Sequence, residues 1–431
     1  MEPEPLPEQA AALVSPGTGR YRGLFRRNPD FGRLYVAQLI SFGGDWFASV
    51  AVLTLVLKTT GSPTLAALVI AAQTLPFAIV SPFAGVIVDR IDRKAVMISA
   101  DVIRTLLALG FLAGQIRSMI WVLFVCEVFI SAVSAFFEPA SSAALPNLVA
   151  KRDLARANVL MGSAWGTMLV VGAALGGLVA ATLGNAAAFI GDAASFAISA
   201  SLLLTIHGSF HETAPDPNRS VSIRADVRET VAFARKERRV LALLVVKAGF
   251  GISAGVIGLI SIFAVKVFHG GAGTIGLLMS ARGLGALTGP FIARRWTGGR
   301  VDRLFTALSV AGVIFAIGYG LFAIAPTVWL AAAGACVAHV GGGSSWTLST
   351  YGLQRFTPDH IRGRVFSFDY GLVTLTIAAS VFFAGLAASR VGPRVVMFGI
   401  AVLSLALALA WTLWRRRLLR DIAPEARGNG A

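Results

Sequence analysis

Eight side chains able to carry charge or move a proton stand inside long apolar runs of this chain: Asp45, Asp101, Arg104, Glu127, Asp192, Lys247, Arg282 and His339. An ionisable group deep in a bilayer costs at least ~2.5–3.5 kcal/mol on insertion scales, so it has a partner or a job. A carboxylate in a dry cavity can hold a proton near neutral pH and trade it for a cationic substrate, and that exchange is antiport. Asp45, near the midpoint of its run, is the first candidate for this chemistry, and Glu127 the second. His339 is either a proton carrier, by the ordinary range of an imidazole, or a hydrogen-bonded packing residue. Lys247 and Arg282 either neutralise acids on neighbouring helices or attract an anionic substrate. Asp101 and Arg104, three residues apart, share a helix face and read as a static pair. Trp46, Phe129, Phe250, Trp346 and Tyr351 either stack on a planar ring of a substrate or face lipid and neighbouring helices.

The elements that must position these groups are apolar runs of about 20 residues, the length that crosses ~30 Å of hydrocarbon as a helix. They lie at Leu34–Leu57, Leu65–Val88, Ala95–Gln115, Met119–Phe137, Val159–Thr182, Ala186–Ile206, Val240–Val265, Gly273–Ala293, Leu304–Ala325, Val328–Thr350, Ser367–Ser389 and Arg394–Trp414. The composition agrees. Only 14% of the 431 residues are charged and 56% are apolar, whereas soluble domains carry about 25% charge. All but eight of the 38 Lys and Arg residues fall in the two tails or in the connections after even-numbered runs. By the positive-inside rule both termini then face the cytoplasm. This placement also explains the net charge of +16 without nucleic acid. Cys126 and Cys336 lie inside apolar runs and read as packing residues.

The Pro- and Glu-rich start, residues 1–24, reads as a disordered cytoplasmic tail, and residues 415–431 as a basic one. Residues 207–239 divide the chain into six-helix halves, 25–206 and 240–414. Ile223, Val227, Val231 and Ala234 give that connection an apolar stripe opposite a basic face. Such a helix either lies on the anionic inner leaflet or is an ordinary linker. A weak repeat relates Ala78–Phe83 to Ala286–Phe291, displaced by about 208 residues, as parallel halves require.

The strongest local signal is Gly85-Val86-Ile87-Val88-Asp89-Arg90-Ile91-Asp92-Arg93-Lys94. Gly85 permits close approach of a neighbouring helix, and Asp89 is placed to hold another helix by the N-terminal end of its dipole. The stretch resembles the signature loop of the major facilitator superfamily, G-x-x-x-D-R-x-G-R-K, with Asp92 where the pattern prefers Gly. The resemblance implies an all-α membrane protein of twelve transmembrane helices in two pseudo-symmetric bundles. It also implies a cytoplasmic gate in which Asp89 and Arg90 join Glu138, with Arg93 and Lys94 keeping the loop inside. Gly172-Ala173-Ala174-Leu175-Gly176-Gly177 is similar to the exporter motif G-P-x-x-G-G of that superfamily, with Ala173 in place of Pro. Thr357-Pro358-Asp359-His360-Ile361-Arg362-Gly363-Arg364-Val365 and the stretch from Phe25 to Asp45 resemble the macrolide-efflux and siderophore-exporter-like branch of the drug:proton antiporters.

No phosphate-binding Gly-rich loop, metal-ligand set or esterase elbow stands in the sequence, so no cofactor is expected. Gly341-Gly342-Gly343-Ser344-Ser345 reads as a flexible or unwound stretch of its helix. The expected function is secondary transport, a proton-coupled efflux of an amphipathic small molecule by an inner-membrane monomer in contact with lipid. Import, lipid or lysophospholipid movement, and a non-transporting sensor are the other readings.

Overall fold

In the computed structural model, residues 19–60, 63–211, 223–270 and 272–420 are described, and every regular element among them is helical. The first half comprises α1 (Gly19–Arg27), α2 (Pro29–Thr60), α3 (Pro63–Val88), α4 (Arg93–Gly110), α5 (Trp121–Leu148), α6 (Leu154–Thr182) and α7 (Asn185–Leu204). The connecting helix is α8 (Ile223–Lys236). The second half comprises α9 (Arg238–Ser253), α10 (Gly255–Ile262) with a π turn at Phe263–Val267, α11 (Ala272–Thr297), α12 (Val301–Ile324), α13 (Val328–Phe356), α14 (Asp359–Val391) and α15 (Pro393–Arg420). Nine of the described helices are long and apolar enough to cross a membrane. The runs Leu65–Val88, Val159–Thr182 and Val328–Thr350 also fold as helices, within α3, α6 and α13.

Local chemistry sets the ends of these elements. Proline occupies the first helical position of α2, α3 and α15, where its missing N–H costs nothing. The Asp92 carboxylate accepts from the Ala95 N–H at 2.8 Å and caps α4, so the residue that departs from the family loop starts the next helix. Gly392, at φ 87°, closes α14 before Pro393 in a conformation that favours glycine.

Three expectations are redrawn. Residues 19–24, expected as tail, are part of α1, and residues 415–420 extend α15. The rest of both tails, and residues 212–222 of the connection, lie outside the described residues. The glycine-serine stretch at Gly341–Ser345 is continuous α-helix. A Cβ on Gly341 would lie 2.3 Å from the Ala311 carbonyl oxygen, and one on Gly343 2.7 Å from that of Ala286. Those glycines let α13 lie against α12 and α11 backbone, which is tight packing rather than loosened helix.

The packing is inside out relative to a soluble protein. Large apolar side chains such as Leu106, Trp329, Phe382 and Phe383 point outward, as lipid-facing residues do. Each half has its own apolar clusters. One cluster, built on Leu243, Phe305, Leu353 and Phe366, also takes in Ala143 and Phe77 of the first half. The halves meet where α3 lies along α14 and α6 along α11.

Candidate functional site

The basic loops close one end of the seam between the halves. Asp89 accepts from the N–H of Gly363 at 2.8 Å, from the N–H of Arg364 at 3.0 Å, and from Arg364 Nε at 3.1 Å. Glycine makes this contact possible on both sides. A Cβ on Gly85 would stand 2.7 Å from Arg364 Cα, and one on Gly363 2.3 Å from Asp89 Oδ1. Arg93, fully buried, carries the second tie. It donates to Asp359 Oδ1 at 2.8 Å, to the Asp359 carbonyl at 2.9 Å, and to the carbonyls of Phe210 at 3.0 Å and Ala143 at 3.2 Å. Asp359 begins α14, where the helix dipole favours a carboxylate, and it also accepts from Arg362 at 2.7 Å and Asn147 at 3.0 Å. Lys94 donates to the carbonyls of Leu204 and Ile206 at the end of α7. Arg90 lies half-buried in the turn between α3 and α4.

Glu138 lies within electrostatic reach of Arg104, Asp45 and Asp101. Asp359 is a carboxylate that ties the basic loop to the start of α14. The sequence signal was present in the stretch Thr357–Val365, but nothing in residue type distinguishes a bridging acid from a capping one.

Deeper in the first half the acids gather. Asp45, Asp101, Glu127 and Asp192 come from four different helices, α2, α4, α5 and α7. Asp45 acts electrostatically on Glu127, Glu138 and Asp192, and Arg104 is the cation acting on Asp45, Asp101, Glu138 and Asp192. Arg104 is itself bound. It pairs with Asp101, which also accepts from Ser199 at 2.6 Å, and its guanidinium sits 4.5 Å from the ring centres of both Phe137 and Phe196. Glu127 is held by Gln73, whose amide donates to it at 3.0 Å and to Ser49 at 3.1 Å. The Gly172–Gly177 motif of α6 supports this wall from behind. A Cβ on Gly172 would lie 3.1 Å from Trp46 Cβ, and one on Gly176 2.8 Å from Phe47 Cα, so α6 presses on α2 beside Asp45. Gly177 lies in the same helix.

The second half is wired differently. Lys247, 1% exposed, pairs with Asp369, bonds Thr350 Oγ1 at 3.2 Å, and lies over the rings of Trp346 at 4.6 Å and Tyr370 at 5.4 Å. Asp369 escapes a reading of the sequence because it stands at the start of its apolar run, where an acid looks interfacial. Arg282 Nε donates to His339 Nε2 at 2.8 Å, and Tyr319 Oη lies 3.3 Å from His339 Nδ1. Of the other aromatic candidates, Phe250 packs on Phe315 with ring centres 5.2 Å apart, Tyr351 bonds the Gly299 carbonyl at 3.5 Å, and Phe129 is outward-facing. A separate cavity of about 270 Å³ between α9, α12, α13 and α15 is lined by Phe250, Phe315, Trp411 and small residues, with no ionisable group.

A family model described as a transmembrane secretion effector matches residues 25–427. The chain is 27% identical over 363 residues to the putative bacilysin exporter BacE of Bacillus amyloliquefaciens, covering 81% of this chain and 86% of that one. It is 26% identical over 416 residues to the multidrug efflux pump Tap of Mycolicibacterium fortuitum, covering 93% and 99%. Among solved structures, the human organic anion transporter MFSD10 superposes with a TM-score of 0.71 at 15% identity, covering 90% of this chain and 99% of that one. That likeness is one of fold.

Proposed function

Because this chain belongs to the transmembrane secretion effector family of major facilitator transporters, we propose that it is a proton-coupled exporter of a small amphipathic molecule, working by alternating access. The observation that carries the proposal is the excess of acid over base in the first half. Asp45, Asp101, Glu138 and Asp192 share Arg104, Asp101 already uses it, and Glu127 is held by the neutral Gln73 amide. In a low-dielectric interior such an excess must be balanced by protons or by a cationic group. Exchange between the two is the coupling step, with Asp45 as the exchanging carboxylate and Glu127 as its neighbour. BacE and Tap, both described as export proteins, support the direction.

In this reading the chain crosses the inner membrane twelve times with both termini in the cytoplasm. The closed basic end is then the cytoplasmic end, and the ties of Asp89 and Arg93 to α14 hold it shut while the acid cluster serves the outside. Substrate leaves, a proton enters the acid cluster, and the halves rock about the seam. The glycines at Gly85, Gly172 and Gly176 let backbone surfaces slide in contact.

The test is efflux from cells, and uptake into inverted vesicles, of a panel of amphipathic compounds. A protonophore is expected to abolish transport, and Asp45→Asn to remove its pH dependence while the protein still inserts and folds. Transport that ignores the pH gradient, or an Asp45→Asn variant with an unchanged pH profile, defeats the proposal.

A further inference from the structure

We propose that Arg282 anchors an acidic group, a carboxylate or similar planar oxyanion, on the molecule this protein moves; the inference rests on the transporter reading above and names a chemical requirement of its substrate. The three cations within the apolar runs are treated differently by the fold. Arg104 has Asp101 and Lys247 has Asp369. Among the described residues no carboxylate reaches Arg282, and the ionisable groups beside it are His339 and Tyr319.

The guanidinium is nevertheless held in place. Its Nε–H donates to His339 Nε2, so that nitrogen carries no proton. A neutral His339 then bears its proton on Nδ1, 3.3 Å from the Tyr319 hydroxyl oxygen. Tyr319 is fully buried between Phe315 and Phe322. A rigid relay thus runs from the core of the second half out to the seam. There the guanidinium lies over the Trp165 ring, 4.9 Å from its centre, and Trp165 belongs to α6 of the other half. With Nε occupied, the two terminal amino groups form the free edge, and neither donates to a described residue. That edge matches the two oxygens of a carboxylate.

The position fits a substrate rather than a permanent counter-ion. Trp165 and Met168 are three residues apart on α6 and share a face. A Cβ on Gly43 would lie 3.5 Å from Met168 Sδ, and Gly43 is two residues from Asp45. The anion anchor at Trp165 is therefore one turn of α6 from the contact with Gly43 of α2, the helix that carries Asp45 on another face. A cation stacked across a moving seam, with its bidentate edge unspent, is built to be completed by something that comes and goes.

The experiment uses the full chain in nanodiscs and matched probes: 3-phenylpropionate, N-acetylphenylalanine and alanyl-phenylalanine, each beside its primary amide. In the unaltered protein, phenylglyoxal modification of Arg282 is followed by mass spectrometry. At least one acid is expected to protect Arg282, and its amide is not. Arg282→Gln is expected to weaken binding of that acid by at least about tenfold, the loss of a charge-assisted hydrogen-bond pair, leaving amide binding unchanged. Arg282→Lys keeps the charge and recovers part of the affinity. The inference is overturned if no acid protects Arg282, if acid and amide protect equally, or if Arg282→Gln binds the acid as tightly as the parent. Proton-driven flux of a cationic dye with no acid binding removes this inference alone. Acid binding without any proton-driven flux removes the exporter reading and leaves the anchor.

Discussion

Lys247 and Asp369 show how a single residue in a membrane bundle is read. The cation is conspicuous in a run of Val and Leu, and it predicts a partner without naming it. The structure supplies Asp369 from α14, with Trp346 and Tyr370 as the walls around the ammonium. Removing one member of a buried pair strands a charge, which costs about 3–5 kcal/mol, whereas replacing both by apolar residues is often neutral. Lys247→Met alone and Asp369→Leu alone are therefore each expected to destabilise the protein by that order, and the double variant to recover most of the loss. A double-mutant cycle on unfolding in nanodiscs measures this. Additive single effects would mean the pair is not the unit that matters. Lys247 and Arg282 look equivalent in sequence, each a lone base in an apolar run. The fold separates them, because a carboxylate faces one and a histidine the other, and neither partner is near its base in the chain.

At the scale of helices, glycine decides which surfaces can meet. Gly85 faces α14 so closely that a Cβ would stand 2.6 Å from Ser367 Cβ and 2.7 Å from Arg364 Cα, and backbone cannot yield as a flexible side chain can. Gly85→Val is expected to hold the basic end apart and raise the reactivity of a cysteine introduced at Asn147 toward a water-soluble maleimide several-fold. Gly320, in α12, is the control. A Cβ there meets nothing within 4 Å, so Gly320→Ala is expected to leave that reactivity unchanged and to stabilise by roughly 0.5–1 kcal/mol through lost unfolded-state entropy. The run at Gly341–Ser345 shows where sequence reasoning fails at this scale. Three glycines in succession lower helix propensity in water, but in a bundle they open a face to α11 and α12, and packing overrides propensity. The apolar runs located their helices, since length and hydropathy are local properties, but not all of the ends: α5 continues to Leu148 beyond the run that stops at Phe137, and α14 begins at Asp359 ahead of the run that starts at Ser367. The break between α9 and α10 was not, because it answers to α14: a Cβ on Gly255 would lie 2.8 Å from the Ser380 carbonyl oxygen.

Across the whole molecule, two halves related by a faint repeat are locked at one end by polar contacts that no single helix contains. The motif loop revealed Asp89 as one side of the lock. The other side, at the start of α14, lies some 270 residues away in the chain and needed the fold to bring it near. His211 gives this lock a pH response. Its Nε2 accepts from the Arg93 N–H at 3.1 Å, and its Nδ1 lies 3.9 Å from Asp359 Oδ2. Burial, then the Arg93 guanidinium, hold the imidazole below its ordinary value of 6.5, against the pull of Asp359 and Asp92. A base with a lowered folded pKa binds fewer protons when the lock is made than when it is broken. The closed state thus keeps its full His211 contribution above about pH 6.5 and loses it as the pH falls through the window below that value. Burial raises the Asp89 carboxyl, opposed by Arg93 and Arg364. An acid so shifted responds with the opposite sign, so the comparison must isolate His211. Spin labels placed across the basic end are expected to show a closed population that shrinks between pH 7 and pH 5.5 in the parent protein. His211→Gln keeps a hydrogen-bond acceptor for Arg93 but cannot be protonated there, and it is expected to remove most of that change while leaving the pH 7 population intact. A His211→Gln profile that tracks the parent would take His211 out of the lock's pH response.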